Sequence, residues 1–305
     1  MARLITVDSG DLNRDFCHEL ESGNILFFPT CPFIFPQEER DFLLSQKQSG
    51  ASNRKNIAYK PDTNRVTNFE RSSLEQQAQL LQIMRNYSER SVRLFTQILP
   101  SYAGKWRLDY ASFRPFQEKG RPLRTRARND LLHVDSFPTR PLHGNRILRF
   151  FTNINPQESR HWLTTEPFAE LAERFGGKGG VSFPRAVRGC FSSRLLSRVK
   201  KGARKIGFPI ALRSPYDVFM LNLHNFLKEN ETFQKTCHKD HWEFPPNSCW
   251  AVYTDQVSHA AISGQYALEQ TFIIPRSALV HPEKAPISVL EKLAGRCMVN
   301  PLFAK

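Results

Sequence analysis

The run Asp130-Leu131-Leu132-His133-Val134-Asp135, answered far downstream by His259, constrains this chain more than any other feature. In an extended run, side chains two residues apart share a face, so His133 and Asp135 point the same way. A third ligand so distant in sequence joins them only if the fold brings separate strand ends to one mouth, as two opposed antiparallel sheets do. Two imidazoles and one carboxylate cap one face of an octahedral metal and leave three positions open, the ligand set of non-haem Fe(II) sites. The triplet alone carries little weight, since a second one, His238-Lys239-Asp240, is present.

The setting separates the two. After His133-Val134-Asp135 comes a polar turn, 136–141, and then a strand-like run over 146–154. His259 follows the apolar run 249–253 and a polar loop; Ser263-Gly264 marks a turn, and 266–274 reads as one more strand. Residues 106–116 read as the strand that precedes the site. The second triplet sits in the charged stretch Cys237-His238-Lys239-Asp240-His241, without apolar alternation, and reads as a solvated connection. Cys237 and His241 lack the second ligand pair that a zinc site needs.

The pattern predicts a mainly β fold with bracing helices (α+β): a double-stranded β-helix, or jelly roll, with N-terminal helices and a basic helical insertion. Residues 1–105 form the bracing region, 106–275 the catalytic core with an insertion at about 176–213, and 276–305 a C-terminal extension. Glu38 and Glu39 after Pro36 start one helix. Ser72 or Ser73 caps a long one that ends before Pro100. Shorter helices are expected over 166–175, stopped by Gly176-Gly177, and over 215–233. His224, inside the last, reads as a packed or surface histidine rather than a ligand. No internal repeat is present.

Among 305 residues the 24 Phe suffice for a substantial core. The six cysteines, at 17, 31, 190, 237, 249 and 297, show no paired framework, which predicts free thiols in a reducing compartment. No apolar h-region follows Met1, and no run of about 18 uncharged apolar residues exists, so neither a signal peptide nor a membrane span is expected.

The net charge of +14 calls for an acidic partner. Much of it is local: ten Lys and Arg, and no Asp or Glu, lie between Lys178 and Arg213. Val187, Phe191, Leu195 and Val199 recur every four residues, with Arg188, Arg198, Lys201 and Lys205 off that stripe. If helical, segment 185–205 is the type that lies on anionic membrane surfaces, each cation there contributing about 1 kcal/mol. A solvated linker, or a helix covering the barrel, has the same composition. Phosphate backbones attract the same charge, but Phe191 is the segment's one aromatic, too few for base stacking, so no nucleic acid is expected.

Three blocks carry a resemblance: Asn129-Asp130-Leu131-Leu132-His133-Val134-Asp135-Ser136-Phe137-Pro138-Thr139-Arg140-Pro141, Arg146-Ile147-Leu148-Arg149-Phe150-Phe151-Thr152-Asn153-Ile154-Asn155-Pro156, and Val252-Tyr253-Thr254-Asp255-Gln256-Val257-Ser258-His259-Ala260. Together they resemble the Fe(II)/2-oxoglutarate-dependent dioxygenases and, more narrowly, the Kdo 3-hydroxylases, which oxidise 3-deoxy-D-manno-oct-2-ulosonic acid (Kdo) in bacterial lipopolysaccharide. The resemblance implies His133, Asp135 and His259 as iron ligands, 2-oxoglutarate and O2 as co-substrates, and lipid A-linked Kdo as the substrate, hydroxylated at C3 to Ko. Supply of Fe(II) and 2-oxoglutarate in the cytosol, with the basic stretch 185–205, leads to the expectation of a cytoplasmic protein, peripheral on the inner membrane; a homo-oligomer is an open alternative. An oxygenase of nucleic acid or protein, or a non-catalytic jelly-roll glycolipid binder, are the alternatives.

Many members of the wider superfamily place Arg or Lys on the final strand to pair with the 2-oxoglutarate side-chain carboxylate. Here that window holds Glu269 and Gln270, with no cation before Arg276. Gln270 is expected to point inward and hydrogen-bond the co-substrate, while another cation neutralises it. Arg149, in a strand apolar on both faces, is the choice, because a buried guanidinium needs an anion and its planar fork suits a carboxylate. A salt bridge to a protein carboxylate is the competing role. Arg146, Arg114 and Arg140 are the rivals, or serve the substrate, which carries its own carboxylate.

Overall fold

The computed structural model describes residues 1–47, 56–70, 73–176, 180–183 and 213–299. The basic segment 185–205, and with it most of the expected insertion at 176–213, lies outside the described residues. The strands are β1 (Leu4–Thr6), β2 (Ile25–Phe28), β3 (Ile57–Lys60), β4 (Arg65–Thr67), β5 (Arg107–Arg114), β6 (Arg146–Asn153), β7 (Arg160–Pro167), β8 (Asp240–Phe244), β9 (Cys249–Tyr253), β10 (Val257–Ser263) and β11 (Ala267–Ile274). Eight form one sheet in the order β1-β2-β9-β6-β11-β5-β3-β4, and three a second, β10-β7-β8. The expected boundary near 105 is no break in the large sheet, because β2 pairs with β9 and β3 with β5.

Alternation along β6 shows how the layers form. Phe150 faces the helix Leu74–Ile98, with its ring 5.4 Å from Phe95. Phe151 faces the other way, stacked 5.1 Å from Trp250 and edge-on to Trp162 of β7 at 4.9 Å. The first layer is the main core; the second is a smaller apolar filling between the two sheets, completed by Phe244, Val252 and Val257. The long helix starts where expected: Ser73 Oγ accepts from Gln76 N and Gln76 answers Ser73 N, a capping box that satisfies two otherwise unpaired amides. Its buried stripe, including Leu80, Ile83, Met84, Tyr87 and Phe95, braces the large sheet.

The helices Gln37–Leu44 and Phe168–Phe175 also match expectation, whereas the stretch expected to be one helix over 215–233 is two, Pro215–Glu229 and Glu231–Thr236. Asn230 divides them by capping the second: its Oδ1 accepts from Phe233 N at 3.0 Å. The Ser263-Gly264 turn needs its glycine, which has φ +117° and where a Cβ would stand 2.8 Å from the Arg160 side chain. No helix among the described residues is long and apolar enough to cross a membrane. The five described cysteines are free thiols.

One expectation fails locally. The run 130–135 is not a strand; it makes a single bridge, His133 to His259. Its other edge is filled by a side chain instead of a neighbouring strand: Leu132 N donates to Gln234 Oε1 and Gln234 Nε2 donates to Leu132 O.

Candidate metal centre

Mutual hydrogen bonds fix the two distant ends: His133 N donates to His259 O at 3.1 Å and His259 N to His133 O at 2.9 Å. Asp135 N is held by Thr254 O at 2.8 Å. His133 Nε2 and Asp135 Oδ1 thereby lie 3.6 Å apart, and the His133 and His259 ring centroids 4.7 Å apart. His133 Nδ1 donates to Leu131 O at 2.7 Å and His259 Nδ1 to Val257 O at 2.8 Å. Each ring is thus fixed in the tautomer whose Nε2 carries a lone pair, the arrangement that metal-binding histidines use. His259 is also stacked on Trp162, with centroids 5.0 Å apart.

All three groups are buried. Burial, assisted by the Lys228 ammonium, holds the His133 pKa well below its ordinary value, and burial lowers that of His259. Burial pushes the Asp135 carboxyl up, but Arg149, then His133, outweigh it and hold it well below the usual carboxylate range. Two neutral imidazoles and an ionised carboxylate are what a divalent metal requires. Arg149 Nη2 stands 2.9 Å from Asp135 Oδ2, yet off the line a hydrogen bond needs, so this buried oxygen has no hydrogen-bond partner. An orphaned carboxylate oxygen beside two bare Nε2 atoms fits an Fe(II) site.

The centre lies in a cavity of about 600 Å³ lined by both sheets, the β3–β4 hairpin and the 137–140 turn. Arg149 lines it, as expected, but Glu269 holds it: Arg149 Nη1 to Glu269 Oε1 is 2.6 Å. Glu269 Oε2 takes Arg114 Nη2 at 2.6 Å, and Arg114 continues to Glu118, which also pairs with Arg160 and Arg121. Arg149 and Arg114 are therefore in the pocket with their guanidiniums locked by one carboxylate. Arg140 sits at the rim, paired with Asp109 and lying over the Tyr110 and Phe137 rings at 4.2 and 4.3 Å.

Two expected residues are not brought there. Gln270 lies on the opposite face of β11 from Glu269 and Thr271, fully buried, with Nε2 donating to Asp109 O and Thr271 O. The inward face it was assigned is the helix-packed face, shared with Phe272. Arg146 is also fully buried away from the cavity, bound to Asp255 through Nε at 2.8 Å and Nη2 at 3.2 Å and lying over the Tyr253 ring. Its role is structural, because Asp255 already supplies the anion.

His224, expected as a packed or surface helical histidine, is packed directly beside the triplet. Its Nδ1 donates to Val134 O at 2.8 Å, and its ring stands edge-on to His133, with centroids 4.9 Å apart. Ligand atoms of His133, Asp135 and His224 all lie within 4.8 Å of one another. The two flanking rings are at nearly equal range from His133, so proximity does not rank them. Burial lowers His224 to about 4 and Lys228, one helical turn on, to about 8. In the decoy triplet His238 is exposed and bonds Asp240 at 3.0 Å, while Asp240 and His241, expected in a solvated connection, begin β8.

Residues 6–297 match the family model for 3-deoxy-D-manno-oct-2-ulosonic acid (Kdo) hydroxylase. The chain belongs to the Kdo hydroxylase family. It is similar to a solved structure of Kdo hydroxylase KdoO, described as a non-haem Fe(II) α-ketoglutarate-dependent dioxygenase, in complex with cobalt(II), at 33% identity over 98% of each chain and TM-score 0.80. A KdoO structure with α-ketoglutarate and Fe(III) shares 32% identity over 97% of each chain, TM-score 0.79. The KdoO complex with succinate and Fe(III) shares 32% identity over 98% of each chain, TM-score 0.79. Comparison with curated proteins by sequence gives no match. His259 lies on β10 and His224 on the helix Pro215–Glu229. On the last strand it is Glu269, not a cation, that faces the cavity.

Proposed function

We propose that this protein is a Kdo 3-hydroxylase, converting lipid A-linked Kdo to Ko with Fe(II), 2-oxoglutarate and O2. The observation that carries the reading is the convergence of His133, Asp135 and His259, two bare Nε2 atoms and one orphaned carboxylate oxygen, in an arginine-lined cavity of a chain that belongs to this family. His133, Asp135 and His259 would hold the iron. Bound Fe(II) would let O2 act as the oxidant, one oxygen atom going to succinate as 2-oxoglutarate loses CO2 and the other replacing C–H by C–OH.

The protein's own groups do the rest. The carbonyls of Leu131 and Val257 keep the ligand tautomers. Arg149, turned by Glu269, would face the co-substrate carboxylate, with Arg114 beside it. Trp162, Phe151 and the inter-sheet filling close the floor to water. The two sheets would be the halves of a jelly roll whose mouth holds the metal. The basic segment 185–205 would bind anionic lipid next to a membrane-borne sugar, keeping the enzyme on the cytoplasmic face of the inner membrane. That reading rests on charge and apolar periodicity in the sequence.

Mass spectrometry of lipid A-core with and without the gene tests the substrate: Ko disappears on deletion, and unchanged Ko would assign the oxygenase to another acceptor. His133→Ala should abolish Kdo-dependent succinate formation; near-normal turnover would remove the metal assignment. Replacing Arg194, Arg198, Lys200 and Lys201 by Ser should release the protein from phosphatidylglycerol vesicles, and unchanged co-sedimentation would refute the membrane contact.

A further inference from the structure

A two-histidine, one-carboxylate set leaves His224 unexplained. Its Nδ1 reaches Val134 O, the carbonyl between the two ligands of the triplet, at 2.8 Å. A carbonyl only accepts, so Nδ1 carries the proton and a neutral ring presents a bare lone pair at Nε2. That is the state of His133 and His259, whose Nδ1 atoms are tied to carbonyls in the same way. A neutral His224 in this tautomer has no N–H left for the co-substrate. Through Nε2 it can accept a proton or ligate a metal.

The distances suit ligation. Two imidazoles in adjacent positions on one octahedral metal, with metal–nitrogen bonds of about 2.1 Å, have ring centroids about 4.6 Å apart. The His133–His224 spacing is 4.9 Å and the His133–His259 spacing 4.7 Å. Ligand atoms of His133, Asp135 and His224 lie within 4.8 Å of one another. Lys228, one turn along the same helix, directs its Nζ to Arg126 O at 3.2 Å.

We propose that His224 is a fourth, displaceable metal ligand, filling one of the three positions that His133, Asp135 and His259 leave open and yielding it when 2-oxoglutarate binds. The proposal rests on the reading of those three residues as the iron ligands. Displacement is required by counting: a bidentate co-substrate and O2 together need all three positions. The exchange moves no electron or proton; Nε2 leaves as the co-substrate's oxygens arrive, and Nδ1 stays on Val134 O. Its consequence is a resting site less open to oxidation before the co-substrate is in place.

Two variants separate ligation from packing. His224→Asn places an amide N–H near the position of Nδ1, keeping a donor for Val134 O while deleting Nε2. His224→Phe deletes both. The readouts are the Co(II) dissociation constant and the visible absorption of the Co(II) protein, each with and without 2-oxoglutarate. His224→Asn should weaken Co(II) binding at least tenfold and alter the spectrum without 2-oxoglutarate, while the two spectra converge once it is saturating. Wild-type affinity and spectrum in His224→Asn, with loss of Co(II) binding in His259→Asn, would overturn the proposal and leave the proposed function standing. Loss in His224→Asn with retention in His259→Asn would keep His224 as a ligand and remove His259 from the set. Wild-type protein that binds no Co(II) would overturn both readings.

Discussion

Arg149 Nη2 lies 2.9 Å from Asp135 Oδ2, and both side chains line the same cavity. Its second partner, Glu269 Oε1 at 2.6 Å, fixes the orientation of the fork. One side chain therefore joins Asp135 to Glu269, and would join the proposed metal site to the proposed co-substrate site. A metal bound to Asp135 would draw charge from that carboxylate and leave Arg149 in greater need of an anion.

It follows that Arg149→Gln should damage 2-oxoglutarate binding more than metal binding. Truncating one member of a buried, hydrogen-bonded charge pair costs about 2–5 kcal/mol, roughly thirtyfold or more in affinity. Titration calorimetry of the Co(II)-loaded variant measures it. If Arg149→Gln binds 2-oxoglutarate like wild type and Arg114→Gln does not, the anchor is Arg114.

Arg146 and Asp255 predict a different phenotype. Both are fully buried, outside the cavity, and bonded at 2.8 and 3.2 Å. Burial raises the Asp255 carboxyl despite Arg146, so an uncompensated Asp255 would be strained further. Arg146→Met should lower stability by about 3–5 kcal/mol, and adding Asp255→Leu should recover much of the loss. Chemical denaturation checks this; a double variant no more stable than the single would show that the pair is not the cause.

The three histidines set a pH dependence for metal-free protein. Burial holds His133 well below its ordinary value, lowers His259, and puts His224 at about 4. An unfolded imidazole titrates near about 6.5. Between about pH 6.5 and 4 the unfolded chain therefore binds protons that the folded chain excludes, and stability falls as pH falls. Above about 6.5 these groups contribute no slope. His224 alone accounts for about 3 kcal/mol across the full window. Denaturation with a chelator present, from about pH 7 to 5, should show the decline, and His224→Asn should flatten it; parallel profiles would contradict the assignment.

Much of the scaffold was legible because its elements are set by local periodicity. The strands at 146–153 and 267–274 and the capped helix at 74–98 all declare themselves by alternation, apolar stripe or capping residues. Gln270 was misread because β11 is buried on both faces, so pattern alone does not say which face meets the cavity. The register does: Gln270 is opposite Phe150, on the helix-packed side, which places Glu269 on the other. The place of His224 beside the triplet was invisible for another reason. Its position depends on where helix Pro215–Glu229 packs, a tertiary fact that no spacing between His224 and the triplet encodes.

The last prediction concerns the substrate's own carboxylate. Every described arginine lining the cavity has a protein carboxylate: Arg114 and Arg149 share Glu269, Arg121 and Arg160 share Glu118, and Arg140 has Asp109. Lys60, at the end of β3 on the cavity wall, has no such partner among the described residues; its Nζ lies over the Tyr110 ring at 5.3 Å. An ammonium on an aromatic face, beside Asn56 and Asn68, remains available to an incoming anion and to sugar hydroxyls. A charge-assisted hydrogen bond to a carboxylate is worth about 1.5–3 kcal/mol. Lys60→Met should accordingly raise KM for the Kdo substrate roughly tenfold to a hundredfold, with the KM for 2-oxoglutarate unchanged. Lys60→Arg should restore part of the loss, because the charge is kept and only its shape changes. Steady-state kinetics varying each substrate in turn decides it: an unaltered KM for Kdo in Lys60→Met would hand the sugar's carboxylate to one of the arginines.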